Sequence, residues 1–116
     1  MQVLNLTRKC CLVEKNKGRV ARSHWDRLRG LIGRTVFGQG EGLWLPGTRA
    51  IHTFGMRFPI DVVFVDQHNR ILYLMPSLAP GRVSPAFPRA RGTLELPPET
   101  LRTTSTQLND ELEFTS

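Results

Sequence analysis

The stretch IDVVFVDQHNRILYLM, residues 60–75, decides the fold of this chain. Its two apolar parts, DVVFVD and ILYLM, are rich in the β-branched and aromatic residues that favour strands. The polar link QHN between them is too short for a crossover, so we predict an antiparallel hairpin. Because both strands are apolar on both faces, we expect the sheet to be covered on each side, by a second sheet, a closed barrel or a helix.

Further short strands and one helix are predicted on either side of this hairpin. VLNL and CCLVEK indicate an N-terminal strand pair, followed by a KNKG turn in which Gly18 can take a positive backbone angle. A helix is predicted over residues 23–32, with Ser23 as its N-cap and Gly33 as its end. LWLP, GTLELPP and ELEF predict strands, ETLRTT predicts one helical turn, and the proline-rich PSLAPGRVSPAFPRAR predicts an irregular segment.

These elements define the expected fold class. With 116 residues the chain fits a single domain, residues 1–116, which needs no metal or disulfide in order to fold. We predict a mainly β protein (α+β by strict count). Its form is a compact antiparallel barrel-like or sandwich-like domain with one flanking helix near residues 23–32.

Cysteine use and hydropathy indicate the compartment. No apolar stretch approaches the roughly 18 residues of a membrane span, and the N-terminus carries charges where a signal peptide is apolar. Cys10 and Cys11 are the only cysteines, and their adjacency predicts free thiols rather than a disulfide. Without a Cys-x-x-Cys motif or a histidine cluster, we expect no metal and no cofactor. A cytoplasmic location without membrane contact is predicted.

The charge distribution favours an anionic partner. The chain carries +6 overall, with +7 in residues 1–34 and −4 in residues 95–116, and 13 of its 16 basic residues are arginines. The planar guanidinium group binds carboxylate or phosphate bidentately. A small anionic ligand or peptide is therefore the candidate partner. Nucleic acid is a weaker candidate, because no nucleic-acid-binding motif organises the basic residues.

The candidate site lies where the chain enters the first strand of the hairpin. Pro59 disfavours a helix at Phe58, so the strand begins near Asp61, which shares a face with Val63 and Val65. A carboxylate near the core needs an arginine, backbone amides or a proton, since an isolated buried charge is costly. The residues expected around it are Arg49, His52, Thr53, Met56 and Arg57.

Three functions remain open for this site. We prefer a non-enzymatic binding domain whose loops, residues 47–59 and 80–91, surround a pocket for a small anion, peptide or carbohydrate-like ligand. The alternative is a hydrolase-like enzyme in which His52 acts with Asp61 or Glu95 as acid–base groups, although no nucleophile motif is present. A weaker alternative is a nucleic-acid-associated accessory protein that uses the basic N-terminal third.

The order of several motifs resembles a known family. The motifs are RLRGLIGR, GEGLWL, IHTFGMRFPIDVVFVD, RILYL with LAPGR, ARGTLELPP and a turn before ELEF. Over residues 20–115 they are similar to the prokaryotic family called domain of unknown function 192. The resemblance implies a compact, mainly β domain with the helix packed on one side. It implies no activity, because the family has no established biochemical function.

The resemblance also assigns motif residues, with two departures. The family has Gly in its LELPxG segment where this chain reads LELPPE, which leaves open how the chain turns after Glu95. The family's Gly-Asp turn is Asn109-Asp110 here, a mild change because Asn tolerates the left-handed conformation. The motif residues carried over are Arg29, Gly30, Leu31, Arg34, Thr53, Met56, Pro59, Asp61, Phe64, Glu95, Leu96 and Pro97.

Glu95 adds a second carboxylate to the candidate site. It alternates with Leu94 and Leu96 in its strand, so it either faces solvent or joins a polar group. We hypothesise a charged cluster at one end of the sheet. Its members are Glu95, Asp61, Arg57 and either Arg34 or Arg49.

Overall fold

The computed structural model describes residues 1–21 and 37–116, and these form eight strands and one short helix. The helix, α1 (Thr100–Thr103), is the helical turn predicted from ETLRTT. The helix predicted near residues 23–32 lies outside the described residues. The strands are β1 (Gln2–Asn5), β2 (Cys10–Val13), β3 (Gly18–Val20), β4 (Gly42–Pro46), β5 (Ile60–Val65), β6 (Ile71–Leu78), β7 (Gly92–Leu96) and β8 (Leu112–Thr115).

The strands form two sheets that share a hydrophobic core. One sheet has the strand order β2-β1-β8, and the other has the order β3-β4-β7-β5-β6. The pairs among these strands are antiparallel except β3 with β4, which run parallel. In the described part of the chain the two sheets do not close into a barrel. The mainly β class is confirmed, in a form with two open sheets.

The predicted hairpin is confirmed, and it forms one end of the larger sheet, with β6 as the edge strand. β5 pairs with β6 on one side, where Val63 lies opposite Leu74, and with β7 on the other side. Every residue of β5 is buried, because both faces of the strand are covered. Val63 and Val65 belong to the core shared by the two sheets, whereas Val62 and Phe64 belong to a second apolar cluster that loop residues complete.

Local geometry differs from the prediction in two places. The turn between β2 and β3 places Asn16, with φ 68°, in the left-handed region, whereas Gly18 lies in β3. Asparagine tolerates that conformation. Strand β6 extends through Pro76 and Ser77 to Leu78, a segment predicted as irregular from its prolines. A proline is compatible with a strand here because β6 lies at the edge of its sheet.

Two residues at which the resemblance implies glycine are left-handed. Asn109 has φ 69°, which agrees with the tolerance expected of asparagine, and Glu99 has φ 76°. Glu99 directly precedes α1, and its side chain makes no capping hydrogen bond to that helix. The chain therefore makes the turn after Glu95 in a glycine-like conformation, with a glutamate that is strained there.

Candidate functional site

Asp61 is fully buried at the start of β5, and backbone amides satisfy its carboxylate. Oδ1 accepts a hydrogen bond from the N–H of Ser77, and Oδ2 accepts one from the N–H of Leu101, each at 2.8 Å. Of the three kinds of partner that the sequence allows, the structure provides amides. Burial raises the pKa of Asp61, and these backbone hydrogen bonds oppose the rise.

These hydrogen bonds connect Asp61 to two distant segments. Ser77 lies in a bulge of β6, where the register with β5 shifts between Ile60 and Val62. Leu101 lies in α1, and its side chain is buried in the core shared by the two sheets. The carboxylate of Asp61 therefore holds the bulge and the helix against β5, which is a structural role.

Asp61 and Glu95 lie on opposite faces of the five-stranded sheet. In the β5–β7 pair, Asp61 is opposite Leu96, and Val62 is opposite Glu95. Directly opposed residues point to the same face of a sheet, and neighbours along a strand point to opposite faces. The structure therefore does not bring the two carboxylates into one cluster.

The arginines of the predicted cluster do not join it either. Arg49 and Arg57 are exposed, and no ion pair among the described residues connects them to either carboxylate. Arg34 lies outside the described residues. Met56, expected at the rim of the site, is 9% exposed and packs in the second apolar cluster.

Glu95 is a buried carboxyl group in an apolar setting. It is 6% exposed and lies between Leu43 of β4 and Val62 of β5, on the face of the second apolar cluster. No hydrogen bond or ion pair joins its side chain to another residue in the described ranges. Burial raises the pKa of Glu95 to about 7. The folded protein therefore binds a proton at Glu95 in mildly acidic solution.

Two loops cover this face of the sheet and are fastened to each other. The 47–59 loop joins β4 to β5, and the 79–91 loop joins β6 to β7. Each contributes apolar side chains to the second apolar cluster, Ile51 from the first loop and Ala90 from the second. The two loops therefore share a rigid apolar base.

Buried Thr53 and Ser84 make the links between the loops. The Oγ1 of Thr53 donates a hydrogen bond to the carbonyl oxygen of Ala79 at 2.7 Å and accepts one from the N–H of Arg82 at 2.8 Å. The N–H of Thr53 donates to the carbonyl oxygen of Arg82 at 2.8 Å. The Oγ of Ser84 accepts from the N–H of Ile51 at 2.9 Å. Thr53, one of the residues expected around Asp61, is thus buried and holds the two loops together.

His52 and Phe54 point outward from the fastened loops. Both are exposed, Phe54 by 52%, and their rings stack with centroids 5.2 Å apart and 28° between the planes. The Nδ1 of His52 accepts a hydrogen bond from the N–H of Phe54 at 3.3 Å. Val83, which is 64% exposed, lies opposite His52 in an isolated β-bridge. These three side chains form an apolar, aromatic patch at the surface.

Both loops also carry arginines. Residues 47–59 and 79–91 contain five arginines and no Asp or Glu. Arg91 packs over the rings of Trp44 and Phe114, at 4.8 Å and 5.1 Å from their centroids. The four exposed arginines are Arg49, Arg57, Arg82 and Arg89. The exposed charge of the two loops is therefore entirely positive.

Sequence reasoning located only part of this surface. It names His52 and Thr53, but it does not single out Phe54 or Ser84. Ser84 lies in a proline-rich segment without a periodic pattern, and its partner Ile51 is 33 residues away. A weak signal was available for Phe54, since strand alternation from buried Ile51 places residues 52 and 54 on the outer face.

The described residues contain neither a cluster of metal ligands nor a disulfide. Within residues 1–21 and 37–116, no three His, Cys, Asp or Glu residues come together as a group that could hold a metal ion. No helix in those ranges is long and apolar enough to cross a membrane. Cys10 and Cys11 are free thiols, the first partly buried and the second exposed.

The fold and the loops define the class of protein, which is a mainly β domain of two open sheets. Its buried carboxylate is bound by backbone amides, and its paired loops expose arginines and aromatic rings. The chain belongs to the DUF192 family, "Uncharacterized ACR", whose model matches residues 11–114. The resemblance carried by the motifs is thereby confirmed.

Two solved structures share this fold. A protein of unknown function from Novosphingobium aromaticivorans DSM 12444 is 20% identical, with a TM-score of 0.81 over 97% of this chain and 82% of that chain. A protein from Sinorhizobium meliloti 1021, described as a "putative transcription regulator", is 19% identical, with a TM-score of 0.79 over 97% of this chain and 89% of that chain. No curated protein matches this chain. At these identities the likeness shows the fold alone.

Proposed function

We propose that this protein is a non-enzymatic domain that binds an anionic partner through its paired loops. The observation that carries the proposal is the charge of these loops, which hold five arginines and no Asp or Glu. We call the exposed part the arginine surface. It consists of Arg49, His52, Phe54, Arg57, Arg82, Val83 and Arg89.

The fastening of the loops supports this proposal. Thr53 and Ser84 fix the backbone on both sides of the arginine surface through hydrogen bonds that are buried or partly buried. A preformed surface loses less conformational freedom when it binds, so more of the interaction energy appears as affinity. Exposed guanidinium groups on such a frame suit bidentate contact with carboxylate or phosphate.

The hydrolase-like alternative has less support. Both carboxylate oxygens of Asp61 accept backbone hydrogen bonds, and the residue is fully buried, whereas His52 is exposed. Glu95 is also buried, and no hydrogen bond joins it to His52 among the described residues. A general acid–base pair needs its two groups within hydrogen-bond reach of each other or of the substrate.

The cytoplasmic location remains part of the proposal. Free Cys10 and Cys11 are consistent with a reducing compartment, in which thiols stay unpaired. Fractionation of the native host, with the protein followed by antibody, tests this point. Recovery in the soluble cytoplasmic fraction would support the location, and recovery with the envelope would contradict it.

The anion site is tested by nuclear magnetic resonance with inorganic pyrophosphate as the probe. At constant ionic strength, we expect the backbone amide signals of residues 52–57 and 81–84 to shift with a saturable dependence on concentration. The variants Arg57→Gln and Arg82→Gln should weaken this binding. Arg102→Gln is the matched control, because Arg102 is 73% exposed but lies in α1, outside the loops. Shifts that are spread over the whole surface, or that sodium chloride reproduces, would contradict the proposal.

A further inference from the structure

The aromatic part of the arginine surface indicates the chemical class of the partner. We infer that the partner is a single-stranded nucleic acid, whose bases stack on the His52–Phe54 pair while its phosphates contact the exposed arginines. This inference rests on the proposed function, since it requires the same surface to bind anions. It moves the candidate nucleic-acid site from the basic N-terminal third to the paired loops.

The stacking platform is built into the backbone. Phe54 exposes 52% of its surface next to a fully buried Thr53, and Gly55 follows with φ 81°, a conformation that glycine adopts without strain. The stacked His52 ring supports one side of the phenyl group. A planar ring held outward in this way offers a face to a nucleobase, and such stacking tolerates any base because every base has a π face.

The arginines lie at both ends of the fastened loops. Arg82 is hydrogen-bonded through its backbone to Thr53 at one end, and at the other end the carbonyl oxygen of Arg49 accepts from the N–H of Phe87. Thr53 and Arg49 are four residues apart in the chain. Exposed arginines therefore occur at both ends of the loops that carry the aromatic rings, a combination that proteins use to bind single strands.

The alternatives use less of this surface. A duplex keeps its base faces stacked inside the helix, so it would engage the arginines and leave the Phe54 ring unused. An acidic protein segment would also satisfy the arginines, but it has no systematic need of an exposed ring pair. The absence of any Asp or Glu from both loops removes the repulsion that a phosphate chain would otherwise meet.

Fluorescence anisotropy with labelled oligothymidylate and oligouridylate tests the inference. We expect both to bind, with an affinity that falls steeply as salt concentration rises. Phe54→Ala should weaken oligonucleotide binding about tenfold or more, whereas Phe54→Tyr should retain it. Neither variant should change competition by heparin, a polyanion without bases. Leu108→Ala is the matched control, because Leu108 is 52% exposed and lies outside the loops.

The charge part is tested with the same assay. Arg57→Gln and Arg82→Gln should weaken the binding of oligonucleotides and of heparin alike, and Lys9→Gln and Lys15→Gln in the N-terminal third should have little effect. Circular dichroism on each variant checks that the fold is intact.

Three outcomes overturn the inference. If a duplex bound as tightly as the single strands and Phe54→Ala had no effect, the surface would bind polyanions in general. Pyrophosphate shifts in the loops would then still support the proposed function. Tighter binding of polyglutamate than of oligonucleotides would indicate an acidic protein partner. Absence of both oligonucleotide binding and pyrophosphate shifts would remove the inference and the proposed function together.

Discussion

Asp61 and Leu101 are 40 residues apart in the chain and are joined by a hydrogen bond of 2.8 Å between the Leu101 N–H and the Asp61 carboxylate. The other carboxylate oxygen accepts a hydrogen bond from the N–H of Ser77, which is 16 residues from Asp61 in the chain. A single buried side chain therefore connects β5 to the only helix that the described residues contain and to the edge strand β6. Asp61 therefore anchors two distant segments of the chain to one strand.

Replacement of Asp61 by Asn should be costly to stability. An amide group has one acceptor oxygen and one NH2 donor, so the N–H of either Ser77 or Leu101 would face a donor instead of an acceptor. We expect the free energy of unfolding at pH 7 to fall by about 3 kcal/mol, measured by urea denaturation. Asp66→Asn is the control, because Asp66 accepts its two backbone hydrogen bonds at an exposed turn, and its loss should be about 1 kcal/mol or less. Equal losses in the two variants would contradict the anchoring role.

Replacement of Thr53 by Val should loosen the paired loops. Valine keeps the shape but leaves the N–H of Arg82 without its acceptor and the carbonyl oxygen of Ala79 without its donor. We expect a loss of about 2 kcal/mol in the free energy of unfolding and faster amide hydrogen exchange in residues 79–84. Thr103→Val, at an exposed position in α1, is the control. Unchanged exchange in the loops would show that Thr53 does not fasten them.

Replacement of Glu99 by Gly should stabilise the protein. Glu99 has φ 76°, and this left-handed conformation costs a residue with a side chain about 1–2 kcal/mol. Glycine avoids the strain but loses about 0.5–1 kcal/mol more backbone entropy on folding. The net gain should be about 0.5–1 kcal/mol, because the exposed ion pair with Arg102 that is lost contributes little. Thermal denaturation measures this gain as a higher melting temperature. The control is Glu113→Gly, which should be destabilising because Glu113 is exposed in a strand and has no positive φ. A lower melting temperature for Glu99→Gly would contradict the strain argument.

Glu95 should make stability depend on pH. Burial raises its pKa from 4.5 to about 7 in the folded protein, so between these values the folded state holds a proton that the unfolded state releases. The stability that this proton contributes is complete below pH 4.5 and is lost as the pH rises to 7. One pKa unit corresponds to about 1.4 kcal/mol, so the total loss is about 3 kcal/mol.

The variant Glu95→Gln isolates this contribution, because glutamine does not titrate. We expect the stability of the wild type relative to the variant to fall by about 3 kcal/mol between pH 5 and pH 8, measured by urea denaturation at each pH. The comparison of the wild type with the variant cancels the pH dependence that other titrating groups contribute. One such group is Asp110, whose pKa is lowered, against the effect of burial, chiefly by its hydrogen bond from Arg8. Parallel pH profiles for the two proteins would show that Glu95 keeps its charge when the protein folds.

Much of the fold was predictable because its determinants are local. The apolar alternation of residues 60–75 predicts the hairpin, and Pro59 predicts where the strand starts, since both act on neighbouring backbone. The same alternation places Asp61 with Val63 and Val65 on a buried face. The sequence shows that Glu99 stands where the family resemblance implies glycine, but only the structure shows its strained, left-handed backbone.

The candidate site was less predictable because its parts meet only through strand order. Strand β7 lies between β4 and β5, and its register sets Glu95 opposite Val62 and Leu96 opposite Asp61. That register separates two carboxylates that the sequence suggests as one cluster.

By itself, then, the sequence determined the mainly β class, the β5–β6 hairpin, the burial of Asp61 and the basic character of the loops. These features depend on composition and on strand alternation over a few residues. Only the tertiary structure decided which backbone amides bind the carboxylate of Asp61 and that Glu95 lies on the opposite face of the sheet. It also decided that Thr53 and Ser84 hold the two loops together, with the rings of His52 and Phe54 exposed. The physical reason is that hydrogen bonds between residues 16 to 40 positions apart depend on which strands are neighbours, and strand order is a property of the whole chain.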